Sequence, residues 1–177
     1  MSAGNRGKWA EGQVRDELTA LSNAVAGFCF NRIPDAHGGN MQPADGDFQW
    51  FFNHRHSCTY DQPNHLRDTR TGMQVIVRDF TRNGVIEVKE VEHLTRLPHS
   101  NFSADKITRV YKRQLAGCEA IVLVAHKLKG MRRPDVTWRA VNLQFFRDTV
   151  YTKGVASWDL SDFPHVSLPA VIKGLVR

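Results

Sequence analysis

An acid and a base, Glu87 and Lys89, stand in the otherwise largely apolar segment 85–91. Alternate side chains of a β-strand share one face, so the two groups would project together, with roughly 7 Å between their Cα atoms. A carboxylate can hold a divalent cation, and a nearby ammonium group can orient water or offset developing charge. This pair therefore suits phosphodiester hydrolysis, although exposed strands also carry such pairs as plain solvated side chains.

A second carboxylate precedes that segment. Asp47 stands directly before Phe48 and Trp50, whose alternation is typical of a strand that could lie beside the Glu87 strand. Mg²⁺ uses few protein carboxylates and keeps several waters, so two acids suffice. Asp45 competes with Asp47 for the role of metal ligand. Either acid could instead stabilise a turn, as aspartate beside glycine often does.

The elements that must position these residues follow from periodicity and turn signals. Apolar residues at helical spacing predict helices, alternating or continuous apolar runs predict strands, and Asn83-Gly84 predicts a hairpin turn. Ser103 is expected to cap the second helix. The expected helices span residues 8–23, 103–116 and 169–175, and the expected strands span 27–33, 47–52, 73–80, 85–91, 120–125 and 136–141.

This order predicts an α/β fold with a mixed central β-sheet flanked by helices. The 177 residues suit a single domain, 1–177, with an inserted loop at 51–72 and a C-terminal extension at 143–177. No stretch approaches the ~20 apolar residues of a membrane span. The N-terminal residues lack a signal-peptide core, and three scattered cysteines fit a reducing compartment, so we expect a cytoplasmic protein. Cys29 and Cys118 are expected to be small core residues.

The net charge of +6 favours nucleic acid as a partner. On the second helix, one face combines basic residues at positions suited to phosphate contacts, namely Lys106, Arg109 and Arg113. Arg55 and Arg67 would extend a basic arm from the 51–72 loop. That loop could instead be a plain surface loop or a zinc site, whose ligands would be His54, His56, Cys58 and His65.

Four stretches in this order resemble the motifs of the PD-(D/E)XK nucleases, and most of all those of the RecU-type Holliday-junction resolvases and their phage relatives. Together they cover about the first 125 residues. The stretches are Asn5-Arg6-Gly7 with Glu11, Asp47-Phe48, the strand 86–91, and the block of Leu97-Pro98, Asn101-Phe102, a helix, Gly117 and the strand 121–124.

The resemblance implies a restriction-endonuclease-like core, dependence on Mg²⁺ with Mn²⁺ as a substitute, and a homodimer. It implies a site formed by Glu11, Asp47, Glu87 and Lys89. Two departures stand out. The family usually has a glutamine where this chain has Lys106, a role that Gln114 could take instead, and it usually has a shorter separation between the aspartate and the Glu-x-Lys strand.

The function expected on these grounds is a metal-dependent DNA endonuclease that resolves Holliday junctions or other branched DNA. It would act in the cytoplasm, or in the host cytoplasm if the chain is phage-encoded. One alternative keeps the chemistry but acts on linear or single-stranded DNA in repair or phage genome processing. An alternative of another class is a DNA-binding protein that does not cut.

Overall fold

A computed structural model of the chain describes residues 8–33, 46–60, 74–130, 132, 135–149 and 156–177, with the backbone alone at 54–60 and 74–80. The helices are α1 (Lys8–Ala24), α2 (Ala104–Leu115), α3 (Leu143–Thr149) and α4 (Leu168–Gly174), and a short 3-10 turn covers His99–Asn101. The strands are β1 (Phe28–Arg32), β2 (Phe48–Tyr60), β3 (Gln74–Val91), β4 (Arg96–Pro98), β5 (Glu119–His126), β6 (Thr137–Asn142) and β7 (Ser157–Asp159).

A five-stranded mixed sheet forms the centre of the fold, in the order β1-β2-β3-β5-β6. Neighbouring strands are antiparallel except β3 and β5, which are parallel. A parallel pair needs a crossover connection, and α2 lies in the connection between these two strands. The α/β class with a mixed central sheet and flanking helices is confirmed, and this architecture is consistent with a restriction-endonuclease-like core.

Two apolar clusters cover the two faces of the sheet. Helices α1 and α4 pack against one face, where the predicted stripe of α1 (Ala10, Val14, Leu18 and Leu21) is buried with α4 residues Leu168 and Ile172. Helices α2 and α3 pack against the other face, with Ile107, Val110 and Phe146 among the buried side chains. The described part of 143–177 thus contributes to both clusters. None of the described helices is long and apolar enough to cross a bilayer.

Two expectations about strand bounds are wrong. Residues 51–60, assigned to an inserted loop, belong to β2, and residues 61–72 of that loop lie outside the described part of the chain. The expected hairpin of 73–80 with 85–91 is instead the single strand β3, which pairs with β2. A third expectation, that Cys29 is a core residue, is also wrong because its side chain is exposed.

Asn83-Gly84 lies within β3, where close packing leaves no room for a side chain at position 84. Gly84 faces Trp50 across the β2–β3 ladder. A Cβ atom at position 84 would lie 2.6 Å from Trp50 Nε1 and 2.5 Å from the Glu119 carbonyl oxygen. Position 84 therefore needs a residue without a side chain, and the dipeptide does not mark a turn.

We expect Gly84→Ala to lower the free energy of unfolding by about 1–3 kcal/mol, since a methyl group there forces shifts in a tightly packed core. Urea denaturation followed by circular dichroism measures the loss. Gly12→Ala is the matched control, because a Cβ atom there meets nothing within 4 Å and alanine favours a helix interior by up to about 1 kcal/mol. A Gly84→Ala variant as stable as the wild type would contradict the described packing of Trp50.

Candidate active site

The site lies where β2 begins, along an edge of β3 that β2 does not cover. The β2–β3 ladder starts at Phe48, which faces Ile86. The β3–β5 ladder continues beyond that point to Val91. From Glu87 onward, β3 is therefore bonded to a strand on its β5 side, while no described strand pairs with it on the other side. This open edge is the floor of the site.

Asp47 is fixed against β3 by both its backbone and its side chain. Its N–H donates to the Ile86 carbonyl at 2.9 Å. Its Oδ2 accepts a hydrogen bond from the Val88 N–H at 2.6 Å, in the position that a further ladder residue would otherwise fill. The side chain thereby continues the hydrogen bonding of the ladder, and the carboxylate is held beside the strand that carries Glu87. Asp45, the competing ligand, lies outside the described residues.

Glu87 and Lys89 share one face of β3, as predicted. Glu87 is fully buried on the α2 side of the sheet, and its Oε1 forms an ion pair with the Lys89 ammonium group. The Lys89 Nζ also lies 5.6 Å from the centre of the Phe102 ring. An acid at a fully buried strand position needs partners close by, because burial disfavours a charge that is not compensated.

Lys106 is a further member of the site. Its Nζ lies 2.7 Å from Glu87 Oε1 and 3.7 Å from Asp47 Oδ1. The side chain reaches this place from the first turn of α2, which Ser103 caps by accepting a hydrogen bond from the Lys106 N–H at 3.3 Å. Sequence reasoning assigned Lys106 to DNA contact. The only signal for its actual place was that it stands where the resembling family has a glutamine.

Burial is the main cause that raises the pKa of Glu87 above its ordinary value. The neighbouring Asp47 raises this pKa further, whereas Lys89 and Lys106 act in the opposite direction. The net effect of these surroundings is to raise the pKa of the Glu87 carboxyl group. A divalent cation on the same oxygens would favour the ionised form.

The residues present fit a hard divalent cation. Glu87 Oε2 accepts no hydrogen bond from a described residue. Asp47 Oδ2 accepts the hydrogen bond from the Val88 N–H, so Oδ1 is the Asp47 oxygen better placed to bind a cation. The Val88 carbonyl points to the same edge of β3 as its N–H, as in any extended strand. Among the described residues, no group of three or more His, Cys, Asp or Glu is arranged to hold a metal ion. The protein ligands here would be the two carboxylates and the carbonyl.

A cleft of about 640 Å³ opens above this edge. Glu11 lines it from α1, as does Glu90 from β3, which sequence reasoning did not include among the site residues. Glu90 Oε2 accepts a hydrogen bond from the Ala10 N–H at 3.2 Å and so connects the first turn of α1 to β3. The Glu11 carboxylate pairs with Arg32 at 2.8 Å. Glu11 thus lines the cleft, and its carboxylate also forms an ion pair with Arg32 of β1.

The residues expected to bind DNA lie in different surroundings. The Lys106 side chain points toward Asp47 and Glu87. Arg109 is half-buried further along α2, and Arg113 is exposed. Gln114, considered as a replacement for the family glutamine, lies about 12 Å further along the helix axis and does not line the cleft. The Arg55 side chain and all of Arg67 lie outside the described residues, as do the side chains of the possible zinc site.

The fold and the site together define an α/β protein with a cluster of two acids and two lysines at the open edge of a mixed sheet. No protein-family model matches the chain, and no curated protein matches its sequence significantly.

Proposed function

We propose that this chain is a metal-dependent DNA endonuclease that hydrolyses phosphodiester bonds in Holliday junctions or other branched DNA. The observation that carries the proposal is that Asp47, Glu87 and Lys89 lie close together at the open edge of β3. The residues that resemble the PD-(D/E)XK motifs are distant in sequence, and this edge brings them within reach of one another.

Each residue has a defined task in the proposed reaction. Asp47, Glu87 and the Val88 carbonyl would hold Mg²⁺, or Mn²⁺ in its place, which would supply Lewis-acid activation of the phosphate and of a water molecule. Lys89 orients the attacking water and offsets the charge that develops on the phosphate. The water oxygen bonds to phosphorus as the bond to the 3′ oxygen breaks. The water loses a proton to solvent and the 3′ oxygen takes one up from solvent, which leaves a 5′-phosphate and a 3′-hydroxyl. Glu11 would support a second ion or a water molecule at the metal.

The substrate and the assembly follow from charge and from the resemblance. A net charge of +6 favours binding to the phosphate backbone. A homodimer, as in the resembling resolvases, would place two sites on strands of like polarity and nick them symmetrically. We place this activity in the cytoplasm, or in the host cytoplasm for a phage protein. A protein that only bound DNA would gain nothing from carboxylates placed beside phosphates.

The test is cleavage of an end-labelled four-way junction and of a linear duplex with the same sequence, in Mg²⁺ and in EDTA. We expect paired symmetric nicks in the junction, dependent on Mg²⁺. Equal cutting of both substrates would keep the nuclease and remove the resolvase. Binding without cutting, in Mg²⁺ and in Mn²⁺, would favour the non-cutting DNA-binding protein.

A further inference from the structure

The two carboxylates that would hold a divalent cation are the same carboxylates that Lys106 contacts. The Val88 N–H donates to Asp47 Oδ2, so Oδ1 is the aspartate oxygen better placed to bind a cation. Lys106 Nζ lies 3.7 Å from Asp47 Oδ1. The same Nζ lies 2.7 Å from Glu87 Oε1. The Lys106 ammonium group therefore bridges the two carboxylates that would hold the metal ion.

The two lysines of the cluster differ in where they come from. Lys89 lies on β3 itself, two residues from Glu87, and its Nζ contacts Glu87 and approaches the face of Phe102. Lys106 comes from α2 and enters from the rim of the cleft, and its side chain is 21% exposed. A lysine side chain is a flexible four-carbon stem with a point charge at its end. Lys106 can thus leave the carboxylates without any change in the strand.

We propose that Lys106 is a built-in competitor of the divalent cation, an inference that rests on the proposed function and concerns its regulation. Its ammonium group holds Asp47 and Glu87 together until a cation displaces it. The displaced ammonium then pairs with a phosphate of DNA in the same cleft. Cation and DNA binding therefore reinforce each other, since each ligand favours the state in which Lys106 has left the carboxylates.

The sign of the effect follows from mass action. A site that is open in only a fraction of molecules shows an affinity reduced by that fraction. If Lys106 leaves about one molecule in ten open, its removal strengthens cation binding about tenfold. A structural role for Lys106 would predict the opposite, because two crowded carboxylates without their counter-ion would loosen and bind a cation less well.

The experiment is calorimetric titration of Ca²⁺ into wild type, Lys106→Gln and Lys112→Gln without DNA. Lys112→Gln is the matched control, because Lys112 is exposed on the same helix and its loss changes the net charge equally. We expect about tenfold tighter binding to Lys106→Gln and no such gain in the control. Lys106→Met, which keeps the stem without the charge, must give the same gain if the glutamine variant folds poorly.

A second arm repeats the titrations with a saturating short duplex, checked on a gel to be uncut. DNA should strengthen Ca²⁺ binding to the wild type several-fold more than to Lys106→Gln. Equal or weaker binding to both Lys106 variants, or an equal gain from DNA in all proteins, would overturn the inference while leaving a metal-dependent nuclease in place. Failure of the wild type and of both variants to bind Ca²⁺ or Mn²⁺ would overturn the proposed function itself.

Discussion

If the proposed function holds, Glu87→Gln is expected to reduce DNA cleavage by about 10³-fold or more, because a neutral amide is a poor ligand for the proposed cation. The amide matches the carboxylate in size, so the buried position stays filled and the fold is kept. Single-turnover cleavage of labelled DNA measures the loss, and circular dichroism measures the fold. Calorimetry should show that cation affinity falls together with activity.

Asp162→Asn serves as the control for this variant, since Asp162 is an exposed acid on the C-terminal segment and its substitution removes the same charge. It should cleave like the wild type. A Glu87→Gln variant that folds, binds the cation and cleaves normally would show that the buried acid is structural and that the catalytic site lies elsewhere.

Lys89→Met is expected to reduce the cleavage rate by about 10²-fold, because the charge that Lys89 places beside the phosphate acts in the transition state. Cation affinity should not fall, because the variant removes a positive charge that competes with the cation for Glu87. The measurement pairs single-turnover rates with calorimetric titration of Ca²⁺. The combination of lost rate with retained binding separates Lys89 from the residues that hold the metal.

Lys112→Met provides the comparison for Lys89→Met, as an exposed lysine with the same substitution. If Lys89→Met lost cation binding and activity together, Lys89 would be a support for Glu87 and would have no separate task. Full activity in Lys89→Met would contradict the assignment of β3 as the catalytic strand.

Local patterns predicted those parts of the fold that local forces determine. The α1 stripe at Ala10, Val14, Leu18 and Leu21 follows the helical period and is buried, and the apolar run 120–125 lies in β5, an interior strand of the sheet. Asn83-Gly84 misled because a turn and a tight contact across a sheet both select glycine. Only the register of β2 against β3, which places Trp50 on Gly84, distinguishes the two.

The site was predictable as far as it lies on one strand. Strand alternation is enough to place Glu87 and Lys89 on the same face, and the alternation after Asp47 was enough to favour a strand start there. Lys106 could not be placed in this way. Its position depends on how the crossover helix α2 packs over β3, which is a long-range property, and its basic neighbours on α2 suggested a solvent-facing role.

The open edge of β3 beyond Ile86 also bears on how the protein stays in solution. A strand with exposed backbone donors and acceptors is a template for strand addition by another chain, and proteins protect such edges with charged side chains. Here the Val88 N–H donates to the Asp47 carboxylate, and the Lys106 side chain contacts Glu87 on the same part of β3. The side chains of the candidate site therefore also make this edge a poor template for strand addition. Replacing the cluster with apolar residues would leave a protein prone to aggregate.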